Sequence, residues 1–111
     1  KLQSFAQWVG ILDFLKTYDV TFSTGFQFRS THILERINLD VELKDKARKL
    51  FRKQNTNQEV VEKLIGELTG MGFAEIINEQ DATYKVTAAF RYAEDMVNLI
   101  TIYNEEDTPE V

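Results

Sequence analysis

The sequence has 111 residues, 43% hydrophobic and 28% charged, with a formal net charge of −5 and no cysteine. That length suits one domain around one core, and the composition excludes wholesale disorder. The missing cysteines exclude disulfides and thiolate-held metal, and no apolar run nears the roughly 20 residues of a membrane span. No cleavable signal is visible, so the cytoplasm is the expected setting. The sequence opens at Lys1 and is apolar by Leu2 and Phe5, which reads as a piece of something longer.

In chain order, Ser4 is placed to cap a helix carrying Phe5, Trp8, Leu12 and Leu15 at helical spacing, with Val9 and Ile11 widening the stripe. Gly10 inside it marks a close helix contact, since glycine costs a helix interior about 1 kcal/mol relative to alanine. Asp19–Phe28 alternates, with Val20, Phe22, Phe26 and Phe28 apolar and Ser23-Thr24-Gly25 at the midpoint, and so reads as a small hairpin or bent strand. Ser30 or Thr31 then caps a short helix with Ile33, Leu34 and Ile37. Asn38 or Asp40 opens a basic helix whose buried side is Leu43, Ala47, Leu50 and Phe51.

After the polar break Gln54–Asn57, Thr56 and Glu59 fit a capping box. Val60, Val61, Leu64, Ile65 and Leu68 give the following helix one apolar face, and Gly70 and Gly72 supply its stop. Phe73, Ile76 and Ile77 pair with Tyr84 and Val86 across the loop Asn78–Asp81. Thr87 caps a last helix with Phe90, Ala93, Met96, Val97, Ile100 and Tyr103 on one side. Helix, strand, tight loop, strand is the second half of a winged helix. The expected fold is therefore α+β: a mostly helical winged-helix domain with small β-hairpins and a long C-terminal helix. Residues 1–104 form that single domain, and residues 105–111 an acidic flexible tail.

Catalysis is not expected. The single histidine, His32, sits at a helix start with no base or nucleophile arranged around it, and no nucleophile elbow or triad order is present. Gly66, Gly70 and Gly72 lack the strand and the Gly-Lys-Ser/Thr run of a phosphate loop. Glu105, Glu106 and Asp107 read as a solvated tail. No catalytic, cofactor-binding or metal-binding residue is assigned, and no cofactor or small molecule is evident.

Charge is unevenly spread: residues 1–41 are neutral, residues 42–53 carry +4, and residues 54–111 carry −9. Lys44, Arg48 and Arg52 recur at four-residue spacing, as do Lys49 and Lys53, so the basic helix is the candidate for nucleic-acid contact. The helix before the hairpin points the other way. A DNA-reading winged helix offers Arg, Lys, Asn or Gln there, whereas this one presents Glu59, Glu62 and Glu67 beside one Lys63, and the wing adds Glu75, Glu79 and Asp81. Those carboxylates repel phosphates and suit a protein partner.

Val60–Val97 resembles the C-terminal winged helix of the kite proteins, the MukE/MksE-type accessory subunits of bacterial condensin complexes. The resemblance lies in Leu64 and Leu68, then Gly70-Met71-Gly72-Phe73, an acidic wing loop, and Tyr84-Lys85-Val86-Thr87 leading to Phe90-Arg91-Tyr92. A fainter similarity covers Asp13–Phe28, through Tyr18-Asp19-Val20 and Gly25-Phe26. The chain is too short for the two tandem winged helices of a full kite subunit. The resemblance implies a non-enzymatic architectural role in a condensin-like (SMC) chromosome-organisation complex, a homodimer, and a kleisin-like partner.

The expected protein interface comprises Phe90, Met96, Val97 and Ile100 together with Glu59, Glu62 and Glu67. The alternative function is a small DNA-binding regulator or replication protein that docks through residues 44–53. A phage or plasmid structural piece with the same fold is a third.

Overall fold

Apolar spacing produces the first helix, α1 (Leu2–Tyr18), which buries Ile11, Leu12, Phe14, Leu15 and Tyr18. The structure is a computed structural model that describes the backbone of residues 2–107 and the side chains of residues 4–99. The backbone is already helical at Leu2, so Ser4 lies inside α1 and does not cap it.

The expected hairpin over Asp19–Phe28 does not form. Its backbone closes two local turns instead, Phe22 N–H to the Asp19 carbonyl at 3.0 Å and Phe26 N–H to the Ser23 carbonyl at 2.9 Å. The Asp19 carboxylate accepts from both the Thr21 N–H and the Thr21 hydroxyl, an Asx-type clamp that holds the first turn. Gly25 takes φ +90°, a conformation cheap for glycine alone, and its N–H reaches the Val86 carbonyl at 2.8 Å. The only strand of this segment is β1 (Gln27–Arg29).

Helix α2 (Ser30–Leu39) buries Ile33 and Ile37. Its N-cap is Arg29, with no side-chain cap, so neither Ser30 nor Thr31 plays the expected part. Asp40 ends α2 and begins α3 (Val41–Leu50), where its carboxylate accepts from the Leu43 N–H at 3.1 Å. Leu43 and Ala47 are fully buried, Phe51 nearly so, and Leu50 packs against the core's edge.

Helix α4 (Asn57–Gly70) follows the sequence reading closely. Thr56 and Glu59 form both halves of the capping box, and Val60, Val61, Leu64, Ile65 and Leu68 are all buried. Its exit is a Schellman motif: Phe73 N–H bonds the Leu68 carbonyl at 2.8 Å and Gly72 N–H the Thr69 carbonyl at 3.0 Å, with Gly72 at φ +78°.

Strands β2 (Ala74–Asn78) and β3 (Thr83–Val86) form the hairpin, and β1 joins its far edge, giving an antiparallel sheet of order β1-β3-β2. Phe28 and Ile76 both pair with Tyr84 from opposite sides. A bulge between Ile76 and Asn78 leaves both Ile76 and Ile77 exposed.

Helix α5 (Phe90–Asp107) closes the described chain. Thr87 does not cap it through its side chain; the hydroxyl donates to the Gly72 carbonyl at 2.7 Å, tying the start of α5 to the end of α4. The helix continues through Asp107, into the segment expected as a tail, and residues 108–111 lie outside the described residues.

The described residues are thus α+β, five helices and a three-stranded antiparallel sheet. Their core is an aromatic chain, with Phe22 against Phe28 and Phe90, Phe90 against Phe73, and Phe73 edge-on to Trp8 at 5.1 Å. No charged side chain among the described residues is buried.

Candidate protein-interaction surface

Three surfaces are candidates for a functional contact: an apolar groove against α5, the acidic face of α4, and the basic end of α3. The groove lies between α1, α5 and the α4–β2 corner. Phe5 and Trp8 of α1, Met71 and Phe73 of the corner, and Ala93 and Met96 of α5 line a depression of about 190 Å³. Tyr92 is 74% exposed, Met71 55% and Met96 44%, so the groove's rim is apolar surface facing water.

The side chains expected at a protein interface divide here. Phe90 is fully buried inside the chain's own core and is not part of an outer face. Val97 is half-buried, packed against that core, and lines the groove, while Met96 stands at its open edge. The Ile100 side chain lies outside the described residues. Sequence periodicity missed Tyr92 and Met71, although one sits beside the Phe90–Arg91 start and the other between the two glycines.

On α4, Glu59 accepts from the backbone N–H groups of Asn55 and Thr56, and is therefore occupied as a cap. Glu67 lies 3.8 Å from Lys63, and Glu62 accepts a long 3.4 Å hydrogen bond from Gln58. These exposed contacts contribute little stability.

On α3 the cations are also dispersed. Arg48 turns back across the α3–α4 connection, donating to the carbonyls of Gln54 at 3.0 Å and Asn55 at 3.1 Å and to Asn57 Oδ1 at 3.4 Å. Lys49 pairs with Asp45 at 3.1 Å. Lys46 reaches Asp13 of α1 at 3.1 Å and donates to the Thr17 hydroxyl. Lys44, Arg52 and Lys53 are exposed.

His32 is exposed on the first turn of α2, and its Nδ1 lies 2.6 Å from the hydroxyl of Tyr18, a pairing that sequence reasoning missed across 14 residues. Arg36 stacks over the Tyr18 ring and donates to its carbonyl at 2.9 Å. Burial raises the Tyr18 pKa above its usual value, and the Arg36 charge opposes that shift. The Thr21 hydroxyl and N–H hold the Asp19 carboxyl below its usual range. Among the described residues, no group of His, Asp and Glu is placed to hold a metal ion, and no helix is long and apolar enough to cross a membrane.

Comparison with curated proteins and with solved structures finds no match. Residues 1–97 match the family of the condensin complex protein MksE, from the start of α1 into the groove-lining part of α5. The chain therefore belongs to the MksE family of condensin complex proteins.

Proposed function

We propose that the chain is a non-enzymatic architectural subunit of a condensin-like complex, acting in the cytoplasm as a winged-helix unit that grips protein. The winged-helix reading rests on α4 entering directly into the β2–β3 hairpin and on β1 closing the sheet beside β3. The observation that carries the functional reading is the apolar groove between α1 and α5, within a chain whose family works as part of a multi-protein complex. Apolar area of this kind gains about 25 cal/mol per Å² when covered.

A second copy of the chain is the occupant proposed for this face, with Met96, Tyr92 and Val97 at the contact and a kleisin-like protein as the further partner. The acidic face of α4, with Glu62 and Glu67, is a docking surface for protein rather than DNA. Docking of duplex DNA through Lys44–Lys53 is weaker on geometric grounds, because Arg48 is committed to the α3–α4 turn and Lys46 and Lys49 are ion-paired.

Light scattering of the purified chain tests the dimer. A mass of twice the 12.9 kDa protomer is expected, falling to one protomer on Tyr92→Glu/Met96→Glu while the circular dichroism spectrum is kept. A wild-type protein monomeric at all accessible concentrations, or a double variant that stays dimeric, refutes this interface.

A further inference from the structure

The seam between α1 and α3 holds a second surface whose chemistry differs from the α5 groove. At the C-terminal end of α3, a trough of about 500 Å³ has Lys49, Arg52, Lys53 and Lys63 on its walls, and Leu50 and Phe51 at its base. Among the described residues, no carboxylate lines it. Phe51 is buried beneath Lys63, whose Nζ sits 5.7 Å from the ring centroid. The depression continues along the seam past Lys46, where Ala6 and Gly10 supply a floor of small residues. Gly10 and Leu50 approach closely there: a Cβ on Gly10 would meet Leu50 Cδ1 at 3.1 Å, so that side chain would have to shift slightly.

Some of these charges are neutralised locally. Lys49 faces Asp45, Lys63 faces Glu67, and Lys46 faces Asp13, which lines the continuation. Arg52 and Lys53 are exposed at the mouth, and they lie in the segment of net +4 within a chain of net −5. Lysines and arginine at a helix C-terminus also complement its dipole, but that role needs no apolar floor.

We propose that this trough binds an acidic peptide segment of a protein partner, one in which carboxylates alternate with aliphatic side chains. Cations around an apolar base match such a segment on both counts. The carboxylates meet the exposed Arg52 and Lys53, and the aliphatic groups cover the half-buried Leu50. A nucleic-acid backbone satisfies the cations but leaves that floor uncovered. The assignment rests on the protein-docking reading above but uses a surface separate from Tyr92 and Met96.

The test is fluorescence anisotropy on the full chain with a labelled synthetic peptide of repeated glutamate-glutamate-leucine units. Binding that weakens with salt is expected. Arg52→Glu/Lys53→Glu, at two exposed positions with folding checked by circular dichroism, should weaken it about tenfold, as should replacing the peptide's leucines by serine. A duplex DNA competitor should fail to displace the peptide. Displacement by the duplex, equal affinity for the serine peptide, or indifference to the double charge reversal each overturns the assignment. Tyr92→Glu/Met96→Glu should bind the peptide as wild type does. A dimer that ignores the peptide therefore sinks the trough alone, and a monomer that binds it sinks the α5 contact alone.

Discussion

Arg48 is the residue at which the helical-face reading and the folded structure diverge most, and replacing it by methionine separates them. Methionine retains an unbranched apolar stem and removes the guanidinium. The wild-type group makes two well-formed hydrogen bonds, to the Gln54 carbonyl at 3.0 Å and the Asn55 carbonyl at 3.1 Å, and a third to Asn57 that at 3.4 Å counts for little. The Asn55 contact is exposed, so water takes over part of it in the variant. With roughly 0.5–1.5 kcal/mol net for each good hydrogen bond and the exposed one discounted, the expected loss is about 1–2 kcal/mol.

The segment that Arg48 clamps also presents Thr56 and Glu59 for the α4 capping box, so the loss falls on the entry to that helix. Urea unfolding followed by circular dichroism reads it as a lower midpoint at unchanged slope. Arg48→Lys, with one ammonium in place of a fork, should fall between wild type and Arg48→Met. Arg52→Met, at an exposed neighbour, should stay within about 0.5 kcal/mol of wild type. The reasoning fails if Arg48→Met also stays within that margin, or if the two methionine variants cost the same.

Gly66 inside α4 and Gly72 just beyond its end should respond in opposite directions to alanine. Gly66 has open space where a Cβ would go, so Gly66→Ala should raise stability by about 0.5–1 kcal/mol, whereas Gly72 at φ +78° should lose about 1–2 kcal/mol in the same unfolding assay. The pH profile should fall off at both ends. Asp19 has a lowered folded pKa, so its contribution is present above the unfolded value near ~3.9 and is lost as pH drops through the folded one. Tyr18 has a raised folded pKa, so its contribution is intact below ~10 and is lost as pH climbs past that value. Unfolding midpoints across pH for Asp19→Asn and Tyr18→Phe should each flatten one limb; a limb that persists unchanged in its variant contradicts the assignment.

How much was legible in the sequence depended on how local the determining contacts are. Helix α4 could be read in full because the capping box, the five apolar positions and the glycine exit all act within a few residues of one another. The Asp40 start of α3 was legible for the same reason. The segment Asp19–Phe28 was not. Its alternation is genuine, but β1 takes its partner from β3, with Gln27 opposite Lys85, and a pattern of period two does not say which strand lies alongside.

Arg48 was misplaced because four-residue spacing identifies a shared helical face without saying what covers it. Gln54 and Asn55 fold back onto that face. Phe90 was misjudged for a related reason. The stripe Phe90, Ala93, Val97 is continuous in sequence, yet its first member closes the aromatic core while Met96, one residue from Val97, stands at the open edge.

The acidity of α4 follows from what this helix does for the fold. It buries Val60, Val61, Leu64, Ile65 and Leu68, so it is a pillar of the core, and its outward residues answer to local needs. Glu59 satisfies two backbone N–H groups at the helix start, where a carboxylate also complements the dipole, and Glu67 faces Lys63 one turn away. Two further surfaces with binding capacity lie on the two flanks of α1. Phe5 and Trp8 look toward α5, while Ala6 and Gly10 look toward α3. Opposite flanks of one helix cannot be filled by the same short segment. The two surfaces are therefore open to separate occupants at the same time, as a subunit that joins more than one protein in a complex requires.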